Sequence, residues 1–442
     1  MTTLAQLLEG SPFQGYAYAY PHKTAYRRLP RPLPLRDVWA PEDRRALFLY
    51  LHVPFCEMRC GFCNLFTQAR PKDGLPARYL AALRCEANQV REALGEASFA
   101  QLAIGGGTPT FLTIDELEEL FALVRRLGVG RVPASVETSP TTAERDKLEL
   151  LKAEGVTRIS LGVQSFVEAE NAASARPQCN GDVENALATI RAVGFATLNI
   201  DLIYGLPHQT LESWLHSVER ALEFSPEELY LYPLYVRPLT SLGKSRRHWD
   251  DLRLDCLRQA RALLQEKGYS QISMRMFKKP SPSMSEAIAE SIAAAYRCQD
   301  DGMVGLGCGA RSYTRGLHYS REYAVASPGV REILADYLQR DEISFAHADY
   351  GFALDGDEQR RRYVAQSLLQ SDGLDAEAYR LRFGSDLFAD LPQLAELQSL
   401  GLAQRDGDRL TLTPRGMEAS DVIGPWLNSP AVDAAMRAYE QR

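Results

Sequence analysis

Six short apolar runs, each followed by a helical pattern, set the limits on what this chain can fold into. They cover residues 48–53, 99–104, 134–138, 158–163, 197–203 and 228–232 and recur at intervals of about thirty to fifty residues. The helices between them have readable ends. Thr113 and Glu116 have the spacing of a capping box, Thr210 with Glu212 and Ser213 opens a helix after a Gly-Leu-Pro turn, and Gly155, Gly194 and Gly268 stand where C-caps are expected. Repeated β–α units imply a parallel sheet curled into an open or closed barrel, with chemistry gathered at the C-terminal strand ends.

The first run leads into His52-Val-Pro-Phe-Cys-Glu-Met-Arg-Cys-Gly-Phe-Cys63, a C-x3-C-x2-C spacing. A closed zinc site or a ferredoxin-type cluster takes four protein ligands. Three thiolates can instead hold three irons of a [4Fe–4S] cluster and leave the fourth iron open for a cofactor, the arrangement of S-adenosylmethionine radical chemistry. Arg59, Phe55 and Phe62 are placed to tune thiolate charge and exclude water. A zinc site completed by His52 or Cys85, and plain surface thiols, are the competing readings.

Other candidates follow the later runs. Gly105-Gly-Gly-Thr-Pro-Thr110 lies between a strand and a capped helix, where bare glycines let backbone approach a ligand. Glu137, Gln164 and Asp201 fall at or near the ends of three different strands, suited to a ribose diol or another polar edge, although each also fits a helix cap. Arg176 sits in a loop, with a surface arginine as its default.

Residues 1–45 show no clear helix or strand period and read as an aromatic, basic arm. Its His22, Lys23, Arg27, Arg28 and Arg31, among Tyr18, Tyr20 and Tyr26, are suited to clamp carboxylates over a flat ring, or simply to pack the arm on the barrel. The barrel is expected over 46–275 and a connector over 276–349, with a helical stretch at 285–296 and a Gly-rich turn at 305–309. A small winged-helix-like unit is expected over 350–442, from a helix at 394–402 and a hairpin strand at 409–413. It has no dense basic helix. The net charge of −7, from 50 basic and 57 acidic residues, argues against nucleic-acid binding. No apolar window suits a membrane span, and eight cysteines without a pairing framework suggest a reducing cytoplasm.

Residues 50–56, Gly105–Thr110, Ile159-Ser-Leu-Gly-Val-Gln-Ser-Phe166 and Asn199-Ile-Asp-Leu-Ile-Tyr-Gly-Leu-Pro-His-Gln-Thr210 resemble, in order and spacing, the HemN-like radical S-adenosylmethionine family. The resemblance implies an α/β fold: a partial (β/α)6 radical SAM barrel with the N-terminal arm and a winged-helix-like C-terminal domain. It implies that Cys56, Cys60 and Cys63 bind the cluster. Tyr50, Gly106, Glu137, Gln164, Arg176 and Asp201 match positions that hold the cluster-bound S-adenosylmethionine. Phe62, Gly107, Thr108, Tyr235 and Arg311 match positions that hold a second one, the last two departing in residue type. The implied activity is that of an oxidoreductase resembling oxygen-independent coproporphyrinogen III dehydrogenase. A haem-binding chaperone and a class C radical methyltransferase are the alternatives. The implied partners are a small-molecule substrate such as a tetrapyrrole and an external electron donor such as flavodoxin or ferredoxin.

Overall fold

The computed structural model describes residues 3–13, 19–237, 239–244, 251–280 and 302–439. One sheet organises them. In chain order its strands are β1 (Arg27–Pro34), β2 (Leu47–Val53), β3 (Phe99–Gly106), β4 (Ala134–Thr138), β5 (Arg158–Gln164), β6 (Thr197–Tyr204), β7 (Glu228–Pro233), β8 (Ser270–Gln271), β9 (Met276–Lys278), β10 (Met303–Leu306), β11 (Arg311–Tyr313), β12 (Leu317–Ser320) and β13 (His347–Ala353). Across the sheet they run β1-β13-β12-β11-β10-β2-β3-β4-β5-β6-β7-β9-β8. The six expected strands are β2 to β7, contiguous and parallel. The barrel is open: β10 adds in parallel beside β2, and β9 adds antiparallel beside β7.

Each strand has one apolar, buried face, and the other carries more polar residues such as Asn199 and Asp201 of β6. Leu49, Leu51 and Val53 of β2, and Leu198, Ile200 and Leu202 of β6, have no solvent exposure. Helices α1 (Leu75–Leu94), α2 (Ile114–Arg126), α3 (Arg145–Ala153), α4 (Asn180–Val193), α5 (Leu211–Glu223) and α6 (Arg253–Glu266) alternate with β2 to β7. On α5, Trp214, Ser217, Val218 and Ala221 are buried at helical spacing. The expected caps form: Thr113 accepts from the Glu116 N–H and Thr210 from the Ser213 N–H. Gly155, Gly194 and Gly268 take φ of 87°, 80° and 82°, the left-handed conformation that ends a helix.

Two expectations are corrected. The arm is not featureless: residues 4–8 form a short helix, and β1 pairs antiparallel with β13. Prolines at 30, 32 and 34 hide this strand from a period count, yet an edge strand tolerates them where no partner needs their N–H. After residue 275 strands continue, pairing antiparallel except where β10 runs parallel to β2, with Gly305 inside β10 rather than in a turn. The expected helix at 285–296 and Tyr18 lie outside the described residues.

The C-terminal part has its own apolar core around Leu368, Leu374, Tyr379, Leu394, Leu397 and Ile423. Its helix Leu394–Ser399 stops before Gly401, at φ 67°, and strands Ala403–Asp406 and Arg409–Leu412 form the expected hairpin. Leu4, Tyr20 and Ala25 of the arm also enter this core. There the Tyr20 hydroxyl donates to Glu358, whose other oxygen accepts from the Ser429 hydroxyl at 2.6 Å. No helix among the described residues is long and apolar enough to cross a membrane.

Candidate cluster and cofactor site

A cavity of about 1200 Å3 opens at the C-terminal ends of the parallel strands. Ligand pockets commonly measure roughly 300–1,000 Å3, so this one has room for more than one small molecule. Cys56, Cys60 and Cys63 line it as free thiols. Their loop is held at several points. Phe55–Cys56 pairs in parallel with Gln68–Ala69, and the Gly61 N–H donates to the Ser174 carbonyl at 2.8 Å. A Cβ at Gly61 would lie 2.7 Å from that oxygen, so this crossing demands glycine. Arg59 donates to the carbonyls of Thr67, at 3.1 Å, and Val325, which makes it a clamp on the loop.

Polar groups approach each sulfur: Thr108 Oγ1 at 3.7 Å from Cys56, Arg176 Nη1 at 3.3 Å from Cys60, and Thr67 Oγ1 at 3.7 Å, with the Leu65 backbone, at Cys63. Burial, then the nearness of Cys63 and Cys60, pushes the Cys56 thiol up to about 12. Burial and Cys60 raise Cys63 as well. Thiols that raise one another in this way become thiolates readily only beside a positive centre, which bound iron supplies. Among the described residues no set of three His, Cys, Asp or Glu side chains closes round a single metal ion. Three thiols from one loop facing one cavity are the donor set that three irons of a [4Fe–4S] cluster would take.

The facing wall comes from β3 to β6. Glu137, on β4, accepts the Gly106 N–H at 3.0 Å. A Cβ at Gly105 would stand 2.7 Å from the Glu137 carboxyl carbon, and one at Gly107 would stand 2.5 Å from the Phe55 carbonyl oxygen. The glycine run thus packs a carboxylate on one side and the cysteine loop on the other. Gly106 takes φ +113°, a conformation side chains avoid. Surrounding protein strips solvation from Glu137 and pushes it up to about 7, helped by Asp201 and opposed by the Gly106 N–H. Asp201 is in the middle of β6 rather than at its end, with Asn199 Nδ2 at 2.8 Å and Ser160 Oγ at 3.2 Å. Burial raises it too, against those two bonds.

Gln164 ends β5 with φ 71° and lines the cavity. Arg176 is not the surface arginine its loop suggested: besides Cys60 it donates to the Gly162 carbonyl at 2.6 Å, and its buried Nε has no partner among the described residues. It joins the cysteine loop to the β5 wall.

Gly106, Gly107, Thr108, Phe62, Tyr235 and Arg311 also line the cavity. Tyr50 does not; its hydroxyl lies 3.3 Å from His52 Nδ1. Phe62 packs with Ile203, Leu206 and Leu234. Tyr235 donates to Asp421 of the C-terminal part, and Arg275 Nη2 donates to its oxygen at 2.8 Å. Thr67, Ser160 and Tyr323 were not among the sequence candidates, and the arm residues His22 and Lys23 reach the cavity with them. A hydroxyl one residue past an unremarkable Phe, or a tyrosine far beyond the last β–α unit, carries no local signal.

The chain is similar to known proteins over most of its length. The Radical SAM superfamily model matches residues 50–221 and the HemN C-terminal domain model matches residues 354–418. The oxygen-independent coproporphyrinogen III oxidase of Escherichia coli is 30% identical over 429 residues, 91% of each chain. The heme chaperone HemW of Bacillus subtilis is 27% identical over 392 residues, 86% of this chain and 98% of that one. The solved structure of the Escherichia coli coproporphyrinogen III oxidase HemN superposes with a TM-score of 0.79 at 28% identity, covering 96% of this chain and 98% of that one. With motifs, sheet and full-length similarity in accord, the chain belongs to the HemN-like radical S-adenosylmethionine family, whose cofactors are a [4Fe–4S] cluster and S-adenosylmethionine.

Proposed function

We propose that the chain is an oxidoreductase of the coproporphyrinogen III dehydrogenase type, with Cys56, Cys60 and Cys63 as cluster ligands. The observation that carries the reading is the convergence of the three thiols, Arg176, the glycine run, Glu137 and Asp201 on one cavity. When bound, the cluster supplies the electron that cleaves S-adenosylmethionine to a hydrogen-abstracting 5′-deoxyadenosyl radical.

The chain's own residues hold and orient. Glu137 and Asp201 accept hydrogen bonds from ligand hydroxyls or an ammonium, and Gln164 fixes a second polar edge. Arg176 steadies the Cys60 sulfur and ties it to the Gly162 carbonyl of the β5 wall. Phe62 with Ile203 and Leu234 keeps one flank apolar, which limits water near a reactive radical. Each propionate converted to a vinyl group loses CO2 and one hydrogen atom, and one electron leaves to an acceptor. An external donor such as flavodoxin or ferredoxin returns the electron that each cleavage consumes.

A haem-carrier reading stands second, favoured by the similarity to the heme chaperone HemW. The deciding experiment is anaerobic reconstitution, reduction and addition of S-adenosylmethionine, with 5′-deoxyadenosine measured with and without coproporphyrinogen III. Production stimulated by coproporphyrinogen and lost in Cys60→Ala is expected. Stoichiometric haem binding by a loaded protein that makes no 5′-deoxyadenosine would select the carrier.

A further inference from the structure

At the Cys63 side of the cavity Lys23 and Arg311 come together, with Arg237 beside them within the field of Asp421. Lys23 from the arm, Arg237 from the segment after β7 and Arg311 from the start of β11 all line it. None has an ion-pair partner among the described residues. Their neighbours are rings: Lys23 Nζ lies 3.6 Å from the Tyr323 centroid, Arg237 Cζ 5.5 Å from that of Tyr235 and Arg311 Cζ 5.9 Å from that of Tyr313. Lys23 is held far below its ordinary value by burial first and by Arg311 second, which places the two cations within each other's field. Tyrosines Tyr313, Tyr26, Tyr50 and Tyr323 stand round Arg311, and none of these neighbours is a carboxylate. Ring faces compensate a desolvated cation only weakly, and two cations turned into one cavity repel.

The carboxylates Glu137 and Asp201 interact with each other and with Arg158, on the strands of the parallel wall. The cavity is therefore polarised, acidic along β4 and β6 and basic between the arm and β11. The basic end is also built firmly. Tyr20, three residues before Lys23, is tied to Glu358 by its hydroxyl and to Arg362 Nη1 by its carbonyl, at 3.0 Å.

We propose that Lys23 and Arg311 form a carboxylate-binding subsite for the substrate, so that the polarised cavity takes S-adenosylmethionine at its acidic wall and an anionic substrate at its basic one. The assignment rests on the radical-enzyme reading above and names the chemistry of its substrate. A second S-adenosylmethionine would bring a fixed sulfonium charge to a region that already holds Lys23 and Arg311, and Coulomb repulsion opposes that. Its carboxylate could still meet Arg311, so the test separates the two sources of carboxylate.

The probes are coproporphyrin III and its tetramethyl ester, titrated by fluorescence into full-length, cluster-loaded protein with saturating S-adenosylmethionine. Wild type, Lys23→Met and Arg311→Leu are compared, with bound S-adenosylmethionine counted by equilibrium dialysis and its cleavage measured on the same samples. The wild type is expected to bind the acid at least tenfold more tightly than the ester. Each variant should cut that preference at least fivefold through weaker acid binding. Equal affinity for acid and ester in the wild type, absence of binding by both, or variants that keep the full preference would overturn the subsite. Fewer bound S-adenosylmethionine molecules in Arg311→Leu, with acid preference intact, would reassign the guanidinium to the cofactor and overturn it as well. Wild type that prefers the acid but fails to cleave S-adenosylmethionine would sink the enzymatic reading and leave the subsite standing.

Discussion

Glu137 shows what an accessible carboxylate inside a protein-walled cavity costs and offers. Its ordinary value of 4.5 rises to about 7 because the cavity wall removes water from the charged form. Below pH about 4.5 folded and unfolded chains both keep the proton; between about 4.5 and 7 only the folded chain does. Stability of the ligand-free protein therefore falls as pH rises through that window. Glu137→Gln removes the dependence, so its melting temperature should exceed that of the wild type by more at pH 8 than at pH 5.5. An equal difference at both would refute the assignment. Binding should run the other way. Ligand hydroxyls need the ionised carboxylate, so S-adenosylmethionine affinity should improve several-fold from pH 6 to 8 in the wild type and much less in Glu137→Gln. At the cysteine loop, Cys60→Ala removes the sulfur that Arg176 meets at 3.3 Å and should abolish cluster loading; full iron with unchanged brown absorbance would contradict the ligand assignment.

Among the elements, the glycine run after β3 and the cysteine loop after β2 form a single mechanical unit. The Gly107 N–H donates to the Val53 carbonyl at 2.8 Å and the Thr108 N–H to the Phe55 carbonyl at 2.7 Å. Gly107→Ala places a methyl 2.5 Å from the Phe55 carbonyl oxygen, which backbone cannot yield cheaply. This substitution should lower iron loading at least several-fold while far-ultraviolet circular dichroism stays native-like. Loading equal to wild type would mean that the two loops move independently. Away from the site, Thr113→Ala removes the cap of α2 and should cost about 1 kcal/mol in denaturant unfolding without changing iron content.

For the whole molecule, the joint between sheet and C-terminal part is a buried charge network. Arg275, just before β9, meets Asp421 at 2.5 Å, with side chains 2% and 1% exposed, and Tyr235 donates to the same carboxylate. Removing one partner strands a buried charge, a penalty of about 3–5 kcal/mol. Asp421→Ala should lose stability on that scale in denaturant titrations, and Asp421→Asn less; a change under about 1 kcal/mol would show that the network is not a structural joint. Strand positions, helix caps and the cysteine triplet were legible in the sequence because each is a local pattern: apolar runs, cap spacing, clustered thiols. The glycines were legible as a run, but the close contacts they permit were not. The arm's strand stayed hidden because its prolines erase the period and its partner β13 lies more than three hundred residues away. For the same reason Lys23 could be read as a candidate clamp but not located, and Arg311 could be matched to a position but not paired with it. Local chemistry by itself determined the β–α framework and which residues could hold a cluster. Only the tertiary structure decided which charges face each other across the cavity, since that depends on segments from both ends of the chain packing on one sheet.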